Sequence, residues 1–405
     1  MRIHLVSEHA SPLALLGGVD AGGQNVHVAA LACGLARLGA TVVVHTRRDD
    51  PSLEREVPFA PGVLVDHVDA GPPEPVGKDE LLPHMAAFAD DLARSWSRTR
   101  PDIVHAHFWM SGLAASDAAR RLGVPVALTF HALGAEKRAH QGGADTSPAQ
   151  RIAIEQWLAC HVDRVIATTA AERRVLLGMG ADPARVTVVP CGVDLAAFTP
   201  AGPVRPPIGP LHRVVCASRL VPRKGIEDVI RAVAALPDCE LLVAGGPPAA
   251  MLHDEPEAER LRRLVEQLGI ADRVHLLGAL ERDDVAALLR SAAVVCCTPW
   301  YEPFGLVAVE ALAAGTPVVA SRVGGLAETV VDGACGVLVE PRRPDQIAHA
   351  IRSIVTDPSW AATLRVGALN RAGGYGWDRI ARRTLSAFAR TATSHRSPTL
   401  AGDLP

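Results

Sequence analysis

Val294-Val-Cys-Cys-Thr-Pro-Trp-Tyr-Glu302-Pro-Phe-Gly305-Leu-Val-Ala-Val-Glu310-Ala-Leu-Ala-Ala-Gly315-Thr-Pro-Val-Val-Ala320 holds a strand, a loop, a helix and a second strand in one run. The apolar runs Val294–Cys297 and Pro317–Ala320 have the length of buried strands, and the segment opening at Gly305 reads as a helix between them. Strand, helix, strand is the repeating unit of a doubly wound parallel sheet. The same stretch carries two carboxylates, Glu302 and Glu310, around the helix start. Unpaired N–H groups and the positive end of the dipole make such a start a seat for an anion such as phosphate. Glu310 falls among Val307, Ala308, Val309, Ala311 and Leu312, where an ionised group needs strong hydrogen-bond donors, as sugar hydroxyls would be. The plainer alternative is that Glu310 pairs with a structural arginine and Glu302 caps the helix.

Outward from that stretch the alternation continues in both directions. Strand-like runs occur at Ile3–Ser7, Thr41–His45, Ile103–His107, Val124–Thr129, Arg164–Ala167 and Val186–Pro190, then at Arg213–Ala217, Glu240–Ala244, Arg273–Leu277 and Gly336–Val339. Helical patterns separate them, so the expected fold is α/β, with two doubly wound Rossmann-like parallel-sheet domains. Phe198–Pro210 contains five prolines and reads as the linker. The expected domains are therefore residues 1–198 and 199–377, facing each other across a cleft in which ligands bind beyond the carboxyl ends of the strands. A helix runs from about residue 378 to 392, and residues 394–405 read as a frayed tail.

Composition narrows the function. The 405 residues are 48% hydrophobic and 21% charged, as in a globular chain long enough for two cores. A net charge of −3 with no dense basic run argues against a nucleic-acid or anionic-membrane surface and for a small-molecule partner. The eight cysteines are scattered, without C-x-x-C pairs, and read as reduced core residues of a cytoplasmic protein. No signal peptide fits the first residues, and no apolar run is long enough to span a bilayer. Arginine and alanine dominate as in a GC-rich bacterial genome, and only Lys78, Lys137 and Lys224 are lysines. A retained lysine marks a place where a compact ammonium is wanted. Oligomeric state is not legible.

Four further motifs carry chemistry. Gly17-Gly-Val-Asp20-Ala-Gly22-Gly23-Gln24-Asn25 lies between a strand and a helix, where glycines let backbone amides approach an anion. It is not a G-x-G-x-x-G dinucleotide fingerprint. Arg219 and Lys224 follow the strand Arg213–Ala217, and a planar fork and a point charge could bracket a diphosphate. His105-Ala-His107-Phe108 and Thr129-Phe-His131 each close a strand. The two i, i+2 histidines have no third Cys, His or carboxylate ligand nearby in sequence, so no metal is expected. His131 could instead hydrogen-bond a sugar hydroxyl or stabilise developing charge.

Gly22-Gly23, His131, Arg219 with Lys224, and Glu302-x7-Glu310 together resemble the retaining family-4 glycosyltransferases of the GT-B fold, over nearly the whole chain. The resemblance implies that Arg219 and Lys224 hold the diphosphate of a nucleotide-sugar donor, while Glu310 takes the ribose hydroxyls. Glu302 and the Phe304-Gly305-Leu306 backbone would meet the donor sugar and phosphate, His131 the sugar's O6 side, and Gly23 the phosphate. It also implies that the terminal helix returns to the first domain. Asp20-Ala-Gly-Gly-Gln-Asn25, Gly77-Lys78-Asp79-Glu80-Leu81, His105-Ala-His-Phe-Trp109 and Arg151 are similar to the sucrose-phosphate synthase and D-inositol-3-phosphate glycosyltransferase branch. In that branch a Lys, a Tyr, a Thr and an Arg grip an acceptor phosphate. This chain keeps Lys78 and Arg151 but has Phe108 and Ala132 in place of the two hydroxyls. The acceptor could thus be a sugar, a sugar phosphate, a cyclitol or an aminocyclitol, with Asn25, Lys78, Phe108, Lys137 and Arg151 on its side.

The implied reaction is front-face attack of an acceptor hydroxyl on the donor sugar, with no cofactor and no metal. The base would be read near Gly278-Ala-Leu280-Glu281-Arg282, where no residue selects uracil over adenine or guanine; UDP is the commonest choice in such enzymes. A GT-B nucleotide-sugar epimerase, a phosphorylase and a non-catalytic nucleotide-sugar-binding protein are the rival readings.

Overall fold

In the N-terminal half the apolar runs fold into β1 (Arg2–Val6), β2 (Thr41–Arg47), β3 (Glu56–Ala60), β4 (Val63–Val68), β5 (Ile103–His107), β6 (Val126–Thr129), β7 (Arg164–Ala167) and β8 (Val186–Val188). They stand in the order β3-β4-β2-β1-β5-β6-β7-β8, all parallel except β3, which runs antiparallel to β4. The C-terminal half forms β9 (His212–Ala217), β10 (Cys239–Ala244), β11 (Val274–Gly278), β12 (Val294–Cys297), β13 (Val318–Ser321) and β14 (Gly336–Val339), all parallel, in the order β11-β10-β9-β12-β13-β14. The computed structural model describes residues 1–14, 22–206 and 209–395, and the chain divides into one unit of Met1–Cys191 with Trp377 onward and a second of Gly192–Gly376.

Central strands buried on both faces explain the near-continuous apolar runs. In the first unit Ile3, Leu5, Val104, Ala106, Ala127 and Leu128 are fully buried, as are Val214, Leu241, Val294 and Val319 in the second. The helix Trp377–His395 belongs to the first unit because its apolar face completes that core: Trp377, Ile380, Ala381 and Phe388 pack with Leu5, Val28, Leu31 and Leu35. It crosses the helix Gly23–Arg37 so closely that a methyl on Gly34 would come 2.9 Å from the Ala381 side chain.

Two expectations need correction. The β3–β4 hairpin was absent from the sequence reading, because Pro58 interrupts the first strand and Pro61-Gly62 turns the chain after only five residues. β6 starts at Val126 rather than Val124, since the Val124 amide still closes the preceding helix onto the Ala119 carbonyl and Pro125 has no N–H. The expected tail from residue 396 onward, Gly17–Ala21 of the glycine motif, and Pro207-Ile208 of the linker lie outside the described residues. No helix among the described residues is long and apolar enough to cross a membrane.

Candidate active site

In the second unit, β9 delivers Ser218–Gly225 at its carboxyl end and β12 delivers Thr298–Gly305 beside it. Gly225 has φ +69°, and a methyl there would lie 2.0 Å from the Thr298 carbonyl oxygen, so only glycine permits the two loops to touch. The Trp300 amide donates to the Arg223 carbonyl at 2.8 Å and ties them further. The result is a salt bridge of 2.5 Å between Lys224 Nζ and Glu302 Oε2. Burial pushes the Glu302 carboxyl up, but Lys224, with Arg223 and Arg219 behind it, overcomes this and holds it below the usual carboxylate range. Arg219 is exposed and makes no ion pair among the described residues. Arg223 was not among the sequence candidates; burial and the neighbouring Arg219 pull its guanidinium down, against Glu302 and Tyr301.

The loop from Glu302 is clamped by a glycine turn. The Gly325 amide donates to the Glu302 carbonyl at 3.0 Å, and a methyl on Gly324 would lie 2.1 Å from the same oxygen. Gly305 then takes φ +91° and opens the helix Leu306–Ala313. Among the described residues the Leu306 and Val307 amides have no partner, leaving two N–H donors at the helix start. Phe304 turns inward, its ring edge-on to Tyr375 at 6.0 Å, so it presents backbone rather than side chain.

Glu310 is partly buried, and its carboxylate makes no hydrogen bond or ion pair among the described residues. The structural-arginine alternative is thus not realised. Burial raises the carboxyl to about 7, with Arg282 opposing. Cys297, at the end of β12, senses Glu302, Lys224 and Glu310, but burial pushes its thiol up to about 12, leaving a neutral filler rather than a nucleophile. Leu280 is half-buried in the loop after β11, which Gly278 shapes at φ +75°.

In the first unit Phe108 and His131 sit just past β5 and β6 at φ +83° and +61°. Such non-glycine left-handed residues are uncommon and concentrate at functional sites. The His131 Nε2 and His107 Nδ1 atoms are 2.9 Å apart. Burial first, then neighbouring histidines, lowers both imidazoles well below the ordinary range. Gly22 and Gly23 open the helix that carries Asn25. The Asn25 side chain accepts from the Gly22 amide and donates to the Ser11 carbonyl, both at 3.0 Å, so it shapes this turn.

Of the acceptor-side candidates, two lie over the ring of a third, Phe108. Lys78 Nζ and Arg151 Cζ lie 5.7 and 5.0 Å from the Phe108 ring centre. Arg151 is 2% exposed and fully engaged, donating to Glu155 at 2.7 Å, the Ala132 carbonyl at 2.7 Å and Ser147 at 3.1 Å. Lys137 bonds Ser147 at 2.9 Å and pairs with Asp145 at 3.0 Å. No spacing marks Asp145 as the partner of Lys137, whereas Glu155 stands at i, i+4 from Arg151 on the helix Arg151–His161, a spacing that could have identified it.

Histidines 105 and 107 have no third ligand nearby in sequence; in the fold His107 comes together instead with His27 and His131, whose ring nitrogens and its own all lie within 4.8 Å of one another.

Comparison with known proteins defines the class first. Residues 21–197 match the model of Glycosyltransferase Family 4, and residues 210–370 that of Glycosyl transferases group 1. The solved sucrose-phosphate synthase of Thermosynechococcus elongatus superposes with a TM-score of 0.89 at 30% identity, covering 97% of this chain and 99% of that one. Anabaena HepE, solved in complex with UDP and glucose, shares the fold with a TM-score of 0.74 at 21% identity, covering 96% of this chain and 99% of its own. The D-inositol 3-phosphate glycosyltransferases of Mycolicibacterium vanbaalenii and Streptomyces griseus are 39% and 36% identical, each over 98% of this chain and over 91% and 90% of their own lengths. The chain belongs to the family-4 glycosyltransferases of the GT-B fold, and it is an enzyme of the glycosyltransferase type.

Proposed function

We propose that the enzyme moves a hexose-type sugar from a nucleotide-diphosphate sugar, UDP-linked in the first instance, to a hydroxyl of a small polar acceptor with retention of configuration. The observation that carries this reading is the pairing of Lys224 with Glu302 beside an exposed Arg219 and a Glu310 carboxylate that has no partner among the described residues. Arg219 and Lys224 take the diphosphate, aided by the Leu306 and Val307 amides, and Glu310 accepts from ribose hydroxyls. Leu280 borders the base through apolar contact. Glu302, steadied by Lys224, meets the donor sugar; in the first unit His131 takes the O6 side, with Gly22 and Gly23 toward phosphate.

Front-face attack fits these groups, because positive charge and helix amides stabilise the diphosphate as the glycosidic bond breaks and its oxygen accepts the acceptor's proton. No protein nucleophile is needed. On the acceptor side Lys78, Phe108, Lys137, Arg151 and Asn25 shape the pocket. Asp145 and Glu155 neutralise two of its cations, which favours a polyol, aminocyclitol or sugar over a doubly charged phosphate ester. The relatives named for D-inositol 3-phosphate make the phosphorylated cyclitol the second reading. Eight free thiols suit a reducing cytoplasm.

Proton NMR of the product formed from UDP-glucose or UDP-N-acetylglucosamine with a set of neutral and phosphorylated cyclitols tests the reaction. An acceptor-dependent product with the donor's α configuration is expected; a β product would rule out the retaining mechanism.

A further inference from the structure

Beneath the first unit's candidate residues, three imidazoles converge from three elements: His27 from the helix Gly23–Arg37, His107 from the end of β5, and His131 from the loop after β6. The ring centres lie 5.5 Å (His27–His107), 5.0 Å (His27–His131) and 5.2 Å (His107–His131) apart. Internal hydrogen bonding does not account for this cluster. His27 Nδ1 is buried with no partner among the described residues, in a side chain only 5% exposed. An imidazole nitrogen without a partner at that depth is costly, and a native structure retains it where something else satisfies it.

We propose that His27, His107 and His131 form a three-imidazole site for a borderline divalent transition metal of the Zn²⁺, Co²⁺ and Ni²⁺ class. Nitrogen donors without carboxylates select that class over Mg²⁺ or Ca²⁺. The 2.9 Å His107–His131 hydrogen bond already sets two nitrogens at the spacing of neighbouring ligands, and moving the shared proton to the far nitrogen of its own ring frees both lone pairs. His131 is the one of the three that is part-exposed, so the ion enters from its side. The Trp377 ring packs against His27 edge-on at 5.3 Å. Resting on the role proposed for His131, a bound ion also withdraws that ring from the donor sugar, so the metal slows transfer rather than serving it.

Titration of chelator-treated full-length protein with CoCl₂ tests the site directly. The expected result is one Co²⁺ per chain with a visible d–d band, lost in His27→Gln, at least tenfold weaker binding in that variant, and no change in His253→Gln, whose ring is exposed on the surface. No band, or equal binding by wild type and His27→Gln, overturns the proposal. In case His27→Gln does not fold, long-range ¹H–¹⁵N spectra of the wild type with ZnCl₂ serve instead: shifts confined to His27, His107 and His131 support the site, and shifts elsewhere overturn it. Metal binding without slower transfer would leave the site standing and remove His131 from the donor's contacts.

Discussion

Lys224 and Glu302 meet across two loops that one glycine allows to touch, and their 2.5 Å contact joins the cation after β9 to the carboxylate after β12. In the proposed reaction the one positive charge of Lys224 both holds this carboxylate in place and receives the diphosphate. Lys224→Ala is expected to lower kcat/KM by about 10²- to 10³-fold, the usual cost of removing one preorganised charge from a developing anion. In a double-mutant cycle with Glu302→Gln the losses should be strongly non-additive, because each single change removes the same contact. Additive losses would mean that the two residues act apart.

Glu310→Gln separates stability from binding. Burial lifts this carboxyl from 4.5 to about 7 in the folded chain. Between those values the folded protein retains a proton the unfolded chain has lost, so stability falls as pH rises through the window, and the penalty is complete above it. The Gln variant should match wild type near pH 4.5 and melt several degrees higher at pH 8 in the absence of ligand. Its affinity for a nucleoside diphosphate should nevertheless drop at least tenfold, since an amide is a poorer partner for two ribose hydroxyls. Thermal melts at the two pH values, with and without UDP, check both halves.

Gly225→Ala should unfold the second unit's loop region or cost about 3 kcal/mol or more, because its methyl would sit 2.0 Å from the Thr298 oxygen on a backbone at φ +69°. Gly178→Ala, in the helix Ala170–Gly178 with open space around it, should be neutral or mildly stabilising. Urea unfolding of the two variants side by side makes the comparison.

Arg151, proposed above to face the acceptor, is also a scaffold. Arg151→Ala leaves Glu155 buried without its partner and should cost about 3 kcal/mol of stability. Arg151→Lys should recover only part of it, since an ammonium cannot make the three-way contact to Glu155, Ser147 and the Ala132 carbonyl. Loss of acceptor turnover with unchanged denaturation midpoint would contradict this assignment.

How much of this was legible in the sequence follows from the reach of each interaction. The strand–helix alternation seen around Val294–Ala320 recurs along the chain as a local signal, and the parallel strands of both sheets follow from it. Glu302 and Lys224 were legible as residue types at strand ends. That they bind each other was not, because 78 residues separate them and the Gly225–Thr298 contact that joins their loops exists only in the fold. His27 was invisible as a partner of His107 and His131 for the same reason: one helix and two strand ends meet there. The β3–β4 hairpin escaped because Pro58 and Pro61-Gly62 look like punctuation rather than structure.

The central claim is that the β9 and β12 loops hold the diphosphate of the donor. Calorimetric titration of wild type, Lys224→Ala and Arg219→Ala with UDP, ADP and GDP tests it most directly. The account predicts binding of at least one nucleotide by the wild type and at least tenfold weaker binding by each variant, with melting temperatures shifted by no more than a few degrees. Equal affinity in all three proteins would contradict it.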